Sequence, residues 1–223
     1  MRPLLDNFFN PGILAQYGPA ILGGFGTTVA VALLTIVVGV GSGLILAIVR
    51  TIGIRLADIL ITIFVDVFRT LPQLVVIVFI YFGLPYAGIQ LSPFAATVIA
   101  LGAVLAAFAT EIFRAAIQAV PQGQWDAARS LGLGFFQILV LVILPQAIRL
   151  AVPLLTNRAI AITKGTALGT AVALPELLGR AESAMAIAAN PSPLTLAAAL
   201  YLVFFVPLVV ASRWLEALGP ARH

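Results

Sequence analysis

Cysteine is missing, and histidine occurs once, at the last position, His223. The first absence leaves no disulfide framework, no dithiol redox pair and no Cys-ligated zinc. The second removes the commonest general base and the commonest nitrogen ligand, so histidine chemistry and a histidine metal site are excluded. Charge is scarce as well: 9% of the 223 residues are Asp, Glu, Lys or Arg, against 62% hydrophobic. A water-soluble domain of this length needs far more charge to cover its surface. A chain wrapped in lipid does not. The twelve cations outnumber the eight acids, but they are scattered singly and form no basic face for nucleic acid. No cleavable signal peptide is expected, because the first long apolar run is too long and starts too late for one.

What is abundant is apolar sequence in runs long enough to cross a bilayer, about 20 residues each. No charge occurs from Asn7 to Val49. Asn10-Pro11-Gly12 and Tyr17-Gly18-Pro19 are expected to break its early part, which leaves a first span near 24–49. Further spans are expected near 59–82, 93–113, 150–168 and 193–212, within one membrane domain covering 1–223. Pro145 and Pro153 are expected to divide 135–172 into an interfacial helix and the fourth span, and 175–190 reads as a wet loop with a short helix. The fold class is therefore all-α, with about five transmembrane helices. Arg50, Arg55, Arg114, Arg129, Arg213 and Arg222 all fall on one side if the N-terminus is outside, while Arg2 and Arg180 fall on the other. By the positive-inside rule the polar segment 114–134 and the C-terminus are cytoplasmic.

That polar segment leads into the most informative stretch. Residues 125–145 read WDAARSLGLGFFQILVLVILP. Gln124 to Leu131 favours helix, Pro121 suits a first helical position, and Gly132 can end the helix in a left-handed conformation. Small Ala127 and Ala128 allow another surface to come close. The spacing Asp126-Ala127-Ala128, three residues, Gly132, nine residues, Val142-Ile143-Leu144-Pro145 resembles the EAA loop of ABC-importer permeases, with Asp for Glu and Val for Ile. Gly26-Thr27-Thr28, Phe68-Arg69-Thr70-Leu71-Pro72, Tyr81-Phe82-Gly83-Leu84-Pro85, Glu111-Ile112-Phe113-Arg114 and Pro175-Glu176-Leu177-Leu178 follow in the order of the polar amino-acid, histidine/glutamine-type subfamily.

The resemblance implies a type I ABC-importer permease fold in a bacterial cytoplasmic (inner) membrane. It implies that Asp126, Ala127, Ala128, Arg129, Gly132 and Pro145 form the coupling loop, whose helix docks on a separate ATPase. It also implies two copies of that ATP-binding subunit, a second permease subunit, identical or related, and an extracytoplasmic solute-binding protein. ATP and Mg belong to the partner ATPase: the nucleotide-binding pattern GxxxxGK followed by Ser or Thr does not occur, since Lys164-Gly165-Thr166 lacks the upstream glycine. No cofactor and no metal are expected in this chain.

Polar residues inside spans are costly and face a bundle interior or a wet cavity. Asp66 and Arg69 are three apart, as are Glu111 and Arg114, so each can pair on one helix face. For the first pair a structural role and a pathway role stay open; for the second a structural role is favoured. Thr156, Asn157, Arg158, Thr163, Lys164 and Thr166 interrupt the fourth span, and helical spacing puts Asn157, Ile160 and Lys164 near one stripe. Candidate pathway residues are Asp66, Arg69, Asn157, Arg158, Lys164 and Thr166. Where many relatives resemble Asn-Gln and then Lys-Asp-Thr-Ser, this chain has Asn157-Arg158 and Lys164-Gly165-Thr166-Ala167. A more positive path would suit anionic groups; alternatively Arg158 snorkels or pairs with Glu176 or Glu182. Two other readings compete with an ATP-driven importer. A secondary transporter would use Asp66 or Glu111 as its coupling carboxylate, but no inverted repeat is visible. An intramembrane enzyme would need a base for its serines, and none is at hand.

Overall fold

The structure, a computed structural model, describes residues 6–217, with side chains through Trp214. Arg2, Arg222 and His223 lie outside the described residues. No strand occurs among the described residues. Helix α1 is Pro11–Thr51, α2 is Arg55–Thr70, and α3 is Gln73–Gly83, followed by a 3-10 turn at Leu84–Ala87. Helix α4 is Pro93–Ala119 and the short α5 is Gln122–Ser130. A helical run follows as α6, Phe135–Ile138, a π turn at Leu139–Ile143, α7, Leu144–Thr163, and a 3-10 stretch at Lys164–Val172. Helix α8 is Leu177–Ala188 and α9 is Ser192–Ala217. Four helical runs are long and apolar enough to cross a membrane, and α2 with α3 makes a fifth if the bent pair counts as one span.

Three expectations need correction. The break at Tyr17-Gly18-Pro19 does not occur: α1 starts on the Asn10 cap, whose Oδ1 accepts from the Gly12 and Ile13 amides, and runs through Pro19 without interruption. A proline forfeits one helical hydrogen bond; a break would forfeit several where water is scarce. The region 59–82 is two helices bent by 111° at Leu71-Pro72, because Pro72 drives Leu71 out of the helical region to φ −73°, ψ 137°. Pro145 and Pro153 do not divide 135–172. Pro153 lies inside α7, and Pro145 opens that helix directly after the π turn. The wider turn absorbs the missing proline N–H, and the Gln146 carboxamide donates to the Val142 carbonyl at 2.8 Å.

Helix α4 is the hub, with 72% of its apolar window buried. It packs on α1 through small residues. Gly39 and Gly43, four apart on α1, sit so close to α4 that an added Cβ would stand 2.6 Å from Leu105 Cβ and 2.5 Å from Ala109 Cβ respectively. Close approach of backbones through small residues is how helices associate where lipid supplies no hydrophobic drive. One core joins α4 to α7 and to the α5–α6 loop through Phe113, Ile138, Ile143 and Ala147. A second joins α4 to α3 through Ile77, Leu101 and Leu105.

Candidate functional site

The segment singled out in the sequence folds as a short helix projecting from the end of the bundle. Its C-terminus closes as the glycine predicts. Gly132 has φ +79°, its N–H donates to the Arg129 carbonyl at 2.9 Å, and the Leu133 N–H reaches the Ala128 carbonyl at 3.3 Å. That pair of bonds is the Schellman closure. The N-terminus differs slightly: Pro121 is the extended residue before the helix, not its first residue. The two alanines also differ. Ala128 is 4% exposed, packed in the chain's own core with Ile138 and Ile143, whereas Ala127 faces outward. Trp125, stacked on Phe135, anchors the same inner side. Asp126 and Arg129 are exposed and loosely paired at 3.5 Å, and Pro145 is exposed at the base of the loop. Sequence reasoning missed Leu131. It is 79% exposed at the tip of the helix, a large apolar side chain held out by the left-handed residue after it. Its signal was an apolar residue directly before a helix-ending glycine on an otherwise polar helix.

The second site lies in the middle of the spans. Asp66, Arg69, Asn157, Arg158 and Lys164 are all exposed on the surface of the single chain. Arg69 is fourteen residues beyond the start of α2 at Arg55 and Arg158 fourteen beyond the start of α7 at Leu144. At 1.5 Å per residue each stands about 21 Å along its helix. The expected Asp66–Arg69 pair does not form: no carboxylate lies within 4.0 Å of Arg69 among the described residues. Its guanidinium instead sits 5.2 Å from the centroid of the Phe108 ring on α4. Arg158 lies over the same ring at 4.0 Å, paired with neither Glu176 nor Glu182. Nothing in the sequence pointed to Phe108. Asn157, Ile160 and Lys164 share a cleft of about 310 Å³ with Ser212 and Arg213 of α9. Thr166 is not on this face: it is fully buried, and its hydroxyl has no partner. The position of Gly165 is explained by packing, because the Gln73 carboxamide of α3 occupies the space a Cβ would need.

Two further polar clusters hold the frame. Arg50, 7% exposed in its side chain, binds Asp58 at 2.7 Å and Glu111 at 2.6 Å, and donates to Thr62 at 3.1 Å. It ties α1, α2 and α4 at one end of the bundle, and Arg114 is only a secondary partner of Glu111 at 3.8 Å. Glu176, expected in a wet loop, is fully buried. Its carboxyl oxygens accept from the Leu178 and Gly179 amides at 2.9 and 2.6 Å, capping α8, and from the hydroxyls of Thr170 and Tyr201 at 2.8 and 3.0 Å. Arg180 and Glu182 are exposed, as a wet segment requires.

An exposed polar face inside apolar spans, next to a short helix displayed beyond them, suits a conduit driven by a partner. Known proteins decide the family. The profile of the family "Binding-protein-dependent transport system inner membrane component" matches residues 39–218. The chain belongs to this family. It is a membrane permease component of the ABC-importer type, and the secondary-transporter reading falls away. The permease is 36% identical to the probable glutamine ABC transporter permease protein GlnP of Bacillus subtilis (strain 168), over 86% of this chain and 90% of that protein. It is 32% identical to the arginine transport system permease protein ArtQ of the same organism, over 89% and 91%. Among solved structures it superimposes on a chain of an amino acid ABC transporter crystallised with histidines, with TM-score 0.81, 31% identity and coverage of 92% and 96%. It shares its fold with a chain of the MetNI methionine ABC transporter, at TM-score 0.69 and 22% identity over 93% and 98%.

Proposed function

We propose that this permease conducts amino acids between itself and a second permease subunit, by alternating access driven from a docked ATPase. The observation that carries the reading is the set of charged and amide side chains exposed at mid-span: Asp66, Arg69, Asn157, Arg158 and Lys164. Such groups are too costly to leave against lipid and face a partner or a wet path. The relatives' names, which include glutamine and arginine systems, support amino acids as the solutes. In this reading α5 is the coupling helix. Asp126, Ala127, Arg129 and Leu131 meet the ATPase, while Ala128, Gly132 and Pro145 hold the helix in place. Two ATPase subunits bind ATP and Mg on the cytoplasmic side, and a solute-binding protein delivers cargo from outside. The N-terminus is outside and the C-terminus inside. ATP binding shifts the population by favouring one of two permease conformations.

The test uses the absence of native cysteine. A single Ala127→Cys permease, purified with its partners, should cross-link through that residue to the ATPase and support ATP-dependent uptake of labelled amino acids in proteoliposomes. Cross-linking only to lipid or to another permease, or uptake indifferent to ATP, would overturn the proposal.

A further inference from the structure

The mid-span face is unbalanced in charge. Arg69 from the last turn of α2 and Arg158 from the second half of α7 converge on one ring, Phe108 of α4, with guanidinium carbons 5.2 and 4.0 Å from its centroid. Neither has a carboxylate within 4.0 Å among the described residues, and both are exposed to the space beside the chain. A guanidinium lying on an aromatic face keeps the N–H groups at its edge free, in the planar fork that matches a carboxylate. The ring therefore holds the cations without using up their donors. Asp66 is three residues before Arg69, exposed and unpaired with it. The cluster thus offers two separate carboxylate-binding groups and one acid.

We infer that the solute is a dicarboxylic amino acid, glutamate or aspartate, with the two guanidiniums of Arg69 and Arg158 taking its two carboxylates and Asp66 taking its α-ammonium. This rests on the proposal that the face lines the translocation path. At the Phe108 cluster the charges match group for group: two anions and one cation on the solute meet two guanidiniums and one carboxylate, while the third cation of the face, Lys164, stands apart in the cleft with Ser212 and Arg213, its ammonium 5.8 Å from the Phe205 ring centroid. A neutral amino acid leaves one guanidinium unmatched. A basic one places a third cation beside two.

The test is equilibrium binding of labelled L-glutamate to the purified permease–ATPase complex, without the external binding protein, in competition with aspartate, glutamine and arginine. Glutamate and aspartate should bind at least about tenfold more tightly than glutamine, the discrimination expected of one charge-assisted bidentate pair. Arg158→Gln should erase that preference, and Arg158→Lys should keep part of it, with both variants still co-purifying with the ATPase as proof of folding. Equal binding of glutamine and glutamate by the wild type, or an unchanged preference in folded Arg158→Gln, overturns the inference. ATP-driven uptake in proteoliposomes separates the two levels. Uptake of neutral or basic amino acids that ignores Arg158 sinks the dicarboxylate assignment alone. Uptake of no amino acid at all sinks the pathway reading with it.

Discussion

Leu131 gives the sharpest test of how this permease meets its motor. Its side chain is 79% exposed at the tip of α5, so most of its surface is available to be buried by a docking partner. Leu131→Ala removes three carbons, each worth about 0.8 kcal/mol when buried. Scaled by the exposed fraction, the loss on docking is about 2 kcal/mol, close to a thirtyfold weaker affinity. The isolated permease should not notice, because substitution at so exposed a site changes stability by less than about 0.5 kcal/mol. The assay is titration of detergent-solubilised permease with purified ATPase subunits, alongside a thermal melt of the permease alone. The expected result is a large affinity loss with an unchanged melt. Affinity within twofold of wild type would refute the assignment of Leu131 to the interface. A lowered melting temperature would show that it supports the loop and does not touch the partner.

Three substitutions probe the frame. Gly43→Val places a side chain where Ala109 Cβ is already 2.5 Å from the ideal Cβ position, so overpacking should cost about 1–3 kcal/mol, read as a lower melting temperature and poorer yield of the folded permease. Gly165→Ala should be destabilised by a similar mechanism, and adding Gln73→Ser, which clears the occupying carboxamide, should restore the melt; failure of that rescue would mean Gln73 is not the obstacle. Glu176→Ala strands two amides and the hydroxyls of Thr170 and Tyr201, while Thr28 keeps its bond to the Gly24 carbonyl; at about 1 kcal/mol or more per buried orphan, a loss of at least about 4 kcal/mol is expected. Glu176→Gln, with one acceptor oxygen left, should recover part of the melting temperature.

Much of the membrane architecture was readable because lipid imposes a simple constraint on composition. Apolar runs located the spanning regions, and Gly132 announced the end of α5 through a conformation other residues avoid. The errors came from prolines. Pro19 and Pro145 looked like breaks, yet the helices continue through them, by different means. Pro72 looked interior to a span and instead bends it by 111°. What a proline does depends on whether neighbouring groups can take up the freed carbonyl, and that is a tertiary property. The same limit applies to charges. Spacing made Asp66–Arg69 a plausible pair, but Phe108, thirty-nine positions further along the chain, supplies the competing partner. Glu176 looked wet because its three hydroxyl partners stand on other elements, Thr28, Thr170 and Tyr201.

The π turn at Leu139–Ile143 fixes an angular phase. It holds one residue more than an α-helical path would, its five residues turning through about the angle that four α-helical residues cover. The helical run from Phe135 to Arg158 is continuous, so the extra residue is absorbed in the wider turn and both ends keep the bearing an unbroken helix would give them. Removing any one residue from 139–143 would let the turn relax to ordinary helix with the two ends still in phase. A residue added elsewhere in the run has no such slack: it would swing Asn157, Arg158 and Lys164 by about 100° against the end that greets the motor. Such a chain would still insert and fold its spans, but its two working surfaces would be out of step.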